Sequence, residues 1–522
     1  MDRITLEVIA SALLSIAEEM GSALIKASYS SNIKERWDCS TAIFDRDGQV
    51  IAQAEHIPMH LGSLLGIIQE ILRRYPADRL SAGDVFAAND PYAGGGTHLP
   101  DITLASPVFI EGELFGFVAN IAHHADRTGE RIRSIYDEGL RITPIRLVEG
   151  GLVREDVMEL LLANFAVPDQ RRGDFRAQIA ANRLGERRLT ELCRRYGQAD
   201  VKAASDEYLA YAERKIKAAI AQVPPGVYRF TDYLDGDGVT KGAIPIAVAI
   251  SVEADRIRLD FTGSGPQVSG DINVVRLALL ATVYYALKAI LDPTIPANGG
   301  FYRAIEVEAP EGSIVNALPP APVGWRTQTC QRIADVIFGA LAPVLRERIP
   351  AAGNGANAAW VFSGVNPRTG RYYVYLETLG GGAGATAQAD GLDGVQVHIT
   401  NTSNLPVECL EMEYPLLVEE YALVDGSGGE GRFRGGLGIR RTIQVLDHES
   451  QLLGTLERAE LPPWGLEGGR PGGRAALVLN PGTPTAERLP SKVWGYPLKP
   501  GDRVAIITPG GGGHGPPSER AA

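Results

Sequence analysis

No two cysteines in this chain stand close together. The four present, Cys39, Cys193, Cys330 and Cys409, are scattered. That excludes a CxxC knuckle and a disulfide framework, and fits a reducing cytoplasm. The sequence has no GxxxxGK[ST] phosphate loop, no GxSxG elbow and no HExxH helix motif, so three common catalytic frameworks are missing. The run Gly510-Gly511-Gly512-Gly513-His514-Gly515 fits GxGxxG spacing but meets Pro516-Pro517 where a helix should begin, and a dinucleotide fingerprint is rejected. Long apolar stretches are also lacking. The longest, residues 277–287, is about half a membrane span. The segment Met1-Asp2-Arg3-Ile4-Thr5-Leu6-Glu7 carries acids where a secretory signal is basic. No membrane role is expected. Nor is there an excess of positive charge: the formal net charge is −12, which gives nucleic acid or anionic lipid nothing to bind. The one basic stretch, Arg171-Arg172 through Arg187-Arg188 to Arg194-Arg195, is interleaved with acids and reads as a solvated or partner-facing helix surface.

What is present points to a large mixed protein. At 522 residues the chain is long enough for two or three domains. Its 60 glycines exceed the usual ~7% and imply many turns and close backbone approaches. Thr5 is placed to cap a helix to about Ala27, with Leu6, Ile9, Leu13, Ile16, Met20 and Leu24 in one stripe. A hairpin follows over residues 39–54, turned at Asp45-Arg46-Asp47-Gly48. A helix is expected near 61–75 and a strand over 84–88. Strands over 102–110 and 114–121 pair across Glu111-Gly112-Glu113. Residues 153–222 read as helices, and Pro224-Pro225-Gly226 ends them. Beyond lie strands and turns, with helices near 274–291 and 332–345. The expected architecture is mixed α+β and multidomain: an N-terminal α/β part over 1–152 that bears a metal, a helical middle over 153–223, and a strand-rich C-terminal part over 224–522.

The chemistry concentrates in the first part. Of eight histidines, five are His56, His60, His98, His123 and His124, and Asp38, Glu55, Asp90, Asp101 and Asp126 lie among them. Thr97-His98-Leu99-Pro100-Asp101 enters one strand of the hairpin, and Asn120-Ile121-Ala122-His123-His124-Ala125-Asp126 leaves the other. An antiparallel hairpin turned near residue 112 therefore brings Asp101 and His123 to the same end. Imidazole and carboxylate donors together suit Zn²⁺, Mn²⁺ or Fe²⁺, in a site with an open position for water or substrate. The alternative is ordinary hydrogen-bonded residues at strand ends. Two other features stay open or bland. Gly380-Gly381-Gly382-Ala383-Gly384 either wraps a ligand or packs tightly, and Cys39 reads as a buried thiol.

Several stretches resemble the hydantoinase B/5-oxoprolinase family, the B-type subunits of ATP-dependent hydantoinases, lactamases and ketone carboxylases. They are Ser31-Asn32-Ile33-Lys34-Glu35-Arg36-Trp37-Asp38-Cys39-Ser40, Glu55-His56-Ile57-Pro58-Met59-His60-Leu61-Gly62-Ser63, Asn89-Asp90-Pro91-Tyr92 and His98-Leu99-Pro100-Asp101. Further on come Glu377-Thr378-Leu379-Gly380-Gly381-Gly382, Tyr414-Pro415-Leu416, Gly431-Arg432-Phe433-Arg434-Gly435-Gly436 and Thr508-Pro509-Gly510-Gly511-Gly512-Gly513. One departure is His514, where the family commonly has an aromatic.

The resemblance implies metal ligands at Asp38, His98, Asp101 and His123. His124 would point the other way on an extended strand and would stand behind the ligands with Asp126 and Asp90. Glu55, His56 or His60 would move protons. The resemblance also implies an A-type partner subunit that binds ATP and phosphorylates the carbonyl oxygen of a small-molecule amide or ketone. The assembly would be a hetero-oligomer with two or more copies of this chain. The implied activity is hydrolysis of a cyclic amide such as a hydantoin, 5-oxoproline or a lactam, with Zn²⁺ or Mn²⁺ activating the water. The alternatives are ATP-dependent carboxylation of a ketone and a non-catalytic scaffold.

Overall fold

Asp2 rather than Thr5 caps the first helix, Arg3–Ala27. In the computed structural model, which describes residues 2–54, 56–124, 130–240 and 242–520, the Asp2 carboxylate accepts from the Thr5 backbone N at 3.0 Å and from the Thr5 hydroxyl at 2.6 Å. Thr5 therefore lies inside the first turn and donates to the cap. This helix is long and apolar enough to cross a membrane, but Ile9, Leu13, Ile16, Met20 and Leu24 are buried along one stripe. The first four of these join a core with Ile43, Ile51 and Val118 of the sheet beneath.

That sheet holds the site. Its strands are β1 Cys39–Asp45, β2 Val50–Ala54, β3 Val85–Ala88, β4 Asp101–Ile110, β5 Glu113–His123, β6 Ile145–Glu149 and β7 Leu152–Val153. The spatial order is β2-β1-β5-β4-β3-β6-β7. β4 and β5 are joined by Glu111 and Gly112, both with positive φ (53° and 88°), the conformation a two-residue hairpin turn requires. The register pairs Asp101 with His123, and β1 lies on the other side of β5 with Cys39 opposite Ala122. Side chains alternate across the sheet. Ile43 and Val118 face the first helix, while Phe44, Phe117 and Ala119 face a second core with Ile67, Ile68 and Ile71.

The helix expected over 61–75 is two, His60–Ser63 and Ile67–Arg74. Gly62 lies in the first and Gly66 just before the second, and a Cβ on either would come within 2.8 Å of backbone from Ala281 or Gly94. Close passage of other segments, not local propensity, decides this geometry.

The helices Glu155–Leu162, Pro168–Tyr196 and Gln198–Ile220 share cores with the N-terminal sheet, through Leu189, Leu192 and Val201 on the first helix's side and Leu161, Phe175 and Ile179 against β3, β4 and β6. Arg171, expected on a solvated surface, is instead buried and lies 3.3 Å from Asp174.

Beyond residue 223 a four-stranded sheet (Ile305–Glu308, Ile257–Asp260, Ile244–Val252, Gly226–Leu234) is covered by the helices Arg276–Leu291 and Arg326–Leu341. The second of these begins earlier than the 332 expected from sequence. Two further sheets enclose a core with Trp360, Phe362, Ile443 and Val504. Glycine-rich segments run beside them in tight backbone contact. A Cβ on Gly382, Gly384 or Gly511 would come within 1.9 Å of the carbonyl oxygen of Gly436, Ala351 or Ala383. The 380–384 glycines thus serve close packing.

Candidate metal centre

Strand pairing fixes two of three converging donors. Asp101 opens β4 and His123 closes β5, directly opposite each other. His98 reaches the same point from the loop before β4, which Asn89 holds by donating to the Leu99 and Leu140 carbonyls at 2.7 and 2.9 Å and accepting from Ile142 N at 2.6 Å. His98 Nε2 is 3.1 Å from His123 Nδ1 and 3.0 Å from Asp101 Oδ1, and His123 Nδ1 is 3.1 Å from Asp101 Oδ1. Metal bonds of about 2.1 Å at right angles would set donors about 3.0 Å apart, and at the tetrahedral angle about 3.4 Å. The triangle has the size a divalent cation needs, and all three residues are buried.

The protons support the same fit. His98 Nδ1 lies 3.1 Å from the Gly324 carbonyl, which can only accept, so Nδ1 carries the proton and Nε2 presents a lone pair to the triangle. Burial first, then the Arg326 charge, holds the His98 pKa down to about 3, so the ring is neutral. Burial opposes the charge of Asp101, but the buried Arg326 guanidinium beside it holds this carboxyl well below the usual range. A lone pair and a carboxylate oxygen 3.0 Å apart call for a cation between them. The two carboxylate oxygens are divided between tasks. Oδ2 accepts from Arg326 Nη2 at 2.7 Å and Thr97 Oγ1 at 3.2 Å, while Oδ1 faces the imidazoles. Arg326 also donates through Nε to Thr97 Oγ1 at 2.7 Å.

The triangle opens into a cavity of about 70 Å³, lined among others by Arg36, Asp38, His60, Trp325, Asn357, Thr378, Thr400 and Thr402. Its wall therefore comes from segments far apart in the chain, residues 36–123 and 324–402.

The other residues singled out from sequence fall in different places. Asp38 lines the cavity, and its carbonyl accepts from His123 N at 3.0 Å. Its carboxylate is not in the tight triangle. His60 also lines the cavity. Its Nδ1 is 2.9 Å from Ser40 Oγ, which itself donates to the Cys39 carbonyl. The ring must therefore donate from Nδ1, leaving Nε2 as the acceptor. Burial lowers the His60 pKa.

His56 lies outside the cavity, its ring against Gly21 of the first helix. His124 turns to the opposite face of β5. Its Nε2 is 3.0 Å from Gln178 Oε1 and its ring lies 5.0 Å from that of Phe175, so it backs onto the Pro168–Tyr196 helix rather than onto the ligands. Asp90 accepts from Arg141 at 2.7 Å and from Tyr92 N at 3.1 Å, and anchors its own loop. Glu55 and Asp126 lie outside the described residues. Cys39 is a buried free thiol whose pKa burial pushes up.

Sequence reasoning missed Arg326, Thr97, Gly324 and Arg36. Arg326 is 225 positions from Asp101, and no local pattern announces such a pair.

The family model described as hydantoinase B/oxoprolinase matches residues 2–517. The chain belongs to that family. A curated relative is the caprolactamase subunit beta of Pseudomonas jessenii, 34% identical over 100% of this chain and 92% of that protein. The crystal structure of the ATP-dependent caprolactamase from Pseudomonas jessenii superposes with a TM-score of 0.92 at 32% identity, covering 100% of this chain and 92% of that one. An acetone carboxylase structure shares the fold, with a TM-score of 0.89 at 19% identity over 100% of this chain and 76% of that chain.

Proposed function

We propose that this chain is the metal-bearing B-type subunit of a two-component, ATP-dependent cyclic-amide hydrolase. The observation that carries the reading is the buried triangle of His98 Nε2, His123 Nδ1 and Asp101 Oδ1, with sides of 3.0–3.1 Å, opening on a cavity in a family whose relatives include a caprolactamase subunit beta. His98, Asp101 and His123 hold a divalent metal, Zn²⁺ or Mn²⁺, and Asp38 offers a fourth donor from the cavity wall. Such a metal acidifies a water and polarises a carbonyl.

The chain's own groups do the rest. Arg326 and Thr97 occupy Asp101 Oδ2 and so aim Oδ1. Gly324 fixes the His98 tautomer. His60, with its lone pair on Nε2, accepts a proton in the cavity and returns it to a leaving nitrogen, the role for which a neutral imidazole near neutral pH is suited. An amide carbonyl is a poor electrophile, and an ATP-binding A-type partner activates it by phosphorylation. That division of labour agrees with the lack of a phosphate loop in this chain. The assembly is a hetero-oligomer containing two or more copies of this chain, placed in the cytoplasm.

The test is turnover of a panel of hydantoins, 5-oxoproline and lactams by this chain with an A-type subunit and ATP. The reading predicts ring-opened product without bicarbonate. A strict need for bicarbonate, with its label in the product, would make the protein a carboxylase. Full turnover after His98→Ala would make the chain a scaffold.

A further inference from the structure

Among the described residues six arginines are buried, and all but one come with a carboxylate. Arg171 lies 3.3 Å from Asp174, Arg326 2.7 Å from Asp101, Arg332 2.9 Å from Asp232, Arg441 3.4 Å from Glu377 and Arg458 2.7 Å from Asp335. Arg36 is 2% exposed and has no carboxylate at ion-pair distance among the described residues. Its N–H groups go to neutral acceptors: Asn32 Oδ1 at 2.7 Å, the Leu376 carbonyl at 2.8 Å, Thr378 Oγ1 at 2.9 Å and the Ser403 carbonyl at 3.4 Å. A guanidinium has five N–H donors, so one on Nη2 is left over.

A buried charge without a counter-charge is strongly penalised. Here it lines the same cavity as the candidate metal ligands. Asp38 shares that wall, but in the reading above its charge is committed to the metal. A second donor stands beside the first. Thr378 Oγ1 lies 2.8 Å from Thr402 Oγ1. Two hydroxyls bonded to each other use one hydrogen between them and leave the other for a third party, and both threonines line the cavity.

We propose that Arg36, with the Thr378–Thr402 hydroxyl pair, is an anchor for an oxyanionic group of the substrate. The missing counter-charge arrives with the ligand. On the reading above, on which only the anion's identity rests, that group is the phosphoryl placed on the carbonyl oxygen. A charge-assisted contact here holds the substrate so that its reacting carbon faces the His98–Asp101–His123 end of the cavity.

The test titrates inorganic phosphate, and separately acetate, into the metal-loaded full chain and into Arg36→Gln, with metal content measured in both. Expected is phosphate binding to the wild type, weakened about tenfold or more by Arg36→Gln at unchanged metal content, in line with one charge-assisted hydrogen bond. Preference for phosphate over acetate assigns the phosphoryl group, and equal binding of acetate assigns a carboxylate at the same anchor. Equal phosphate affinity in both chains, or no binding by the wild type, overturns the inference. If Arg36→Gln does not fold, wild-type crystals soaked in phosphate decide: an oxyanion within hydrogen-bond reach of Arg36 Nη2 upholds it, and density elsewhere or none overturns it. A wild type that binds phosphate through Arg36 but never holds metal would overturn the metal reading alone.

Discussion

Asp101→Asn separates two jobs that one carboxylate performs. Oδ1 stands 3.0 and 3.1 Å from the two imidazole donors, and Oδ2 stands 2.7 Å from Arg326 Nη2. The amide keeps the shape and removes the charge. Metal affinity should fall more than about 100-fold, beyond the 10- to 100-fold typical of losing a group that merely supports a ligand. Separately, Arg326 is left charged and buried without a counter-charge, which destabilises the fold by about 3–5 kcal/mol. Adding Arg326→Met removes the orphan charge and should recover most of the stability, since replacing a buried pair with apolar groups is often neutral or better. It should not recover the metal. Competition against a chelator reads affinity, and denaturant titration of the metal-stripped chain reads stability. If Asp101→Asn keeps metal within about threefold of wild type, the triangle is not a metal site, because a lost ligand exceeds that margin. If the single variant unfolds at the wild-type denaturant concentration, the Arg326 pair does not bear on the fold.

His60→Gln should lower turnover by about 10²–10⁴, the usual worth of a general acid or base, without loss of metal, whereas His56→Ala should leave turnover near wild type; metal analysis alongside rates checks both. Burial is the main cause that holds His98 at about 3 and His124 at about 4, while an unfolded imidazole titrates near 6.5. Because both are lowered, the stability they contribute to the metal-free chain is complete above about 6.5 and is lost as pH falls from there towards the folded values. A denaturation midpoint that stays flat between about pH 7 and 4.5 would contradict this. Gly511→Ala places a methyl 1.9 Å from the Ala383 carbonyl oxygen, where backbone on both sides cannot give way. It should lower stability by about 3 kcal/mol, the upper end for overpacking, and an unchanged unfolding temperature would be inconsistent with such close contact.

Much of the frame was legible because it follows from local periodicity. Two strand-like runs joined by a turn near residue 112 bring Asp101 and His123 to the same end, and the alternation of side chains along a strand sends His124 to the other face. What escaped depends on contacts between distant segments. Either Asp2 or Thr5 has the side chain to cap the first helix, and the choice rests on three-dimensional geometry. The break between His60–Ser63 and Ile67–Arg74 reflects the passage of residues 94 and 281, which nothing in 61–75 encodes. Arg171 looks like a surface charge until Asp174 and the sheet enclose it. Arg326 fell before the expected start of its helix at 332, in a stretch with no apolar rhythm. Arg36 drew notice only inside a family-like motif, and its lack of a counter-ion can be seen only once the partners of every other buried arginine are known.

The central claim is that a divalent metal sits between His98, Asp101 and His123. Anomalous diffraction from crystals of the metal-loaded chain tests it most directly. The account predicts one strong peak about 2.1 Å from His98 Nε2, His123 Nδ1 and Asp101 Oδ1, the bond length of such donors. Crystals with no peak there, or with a peak held by other residues, would contradict it.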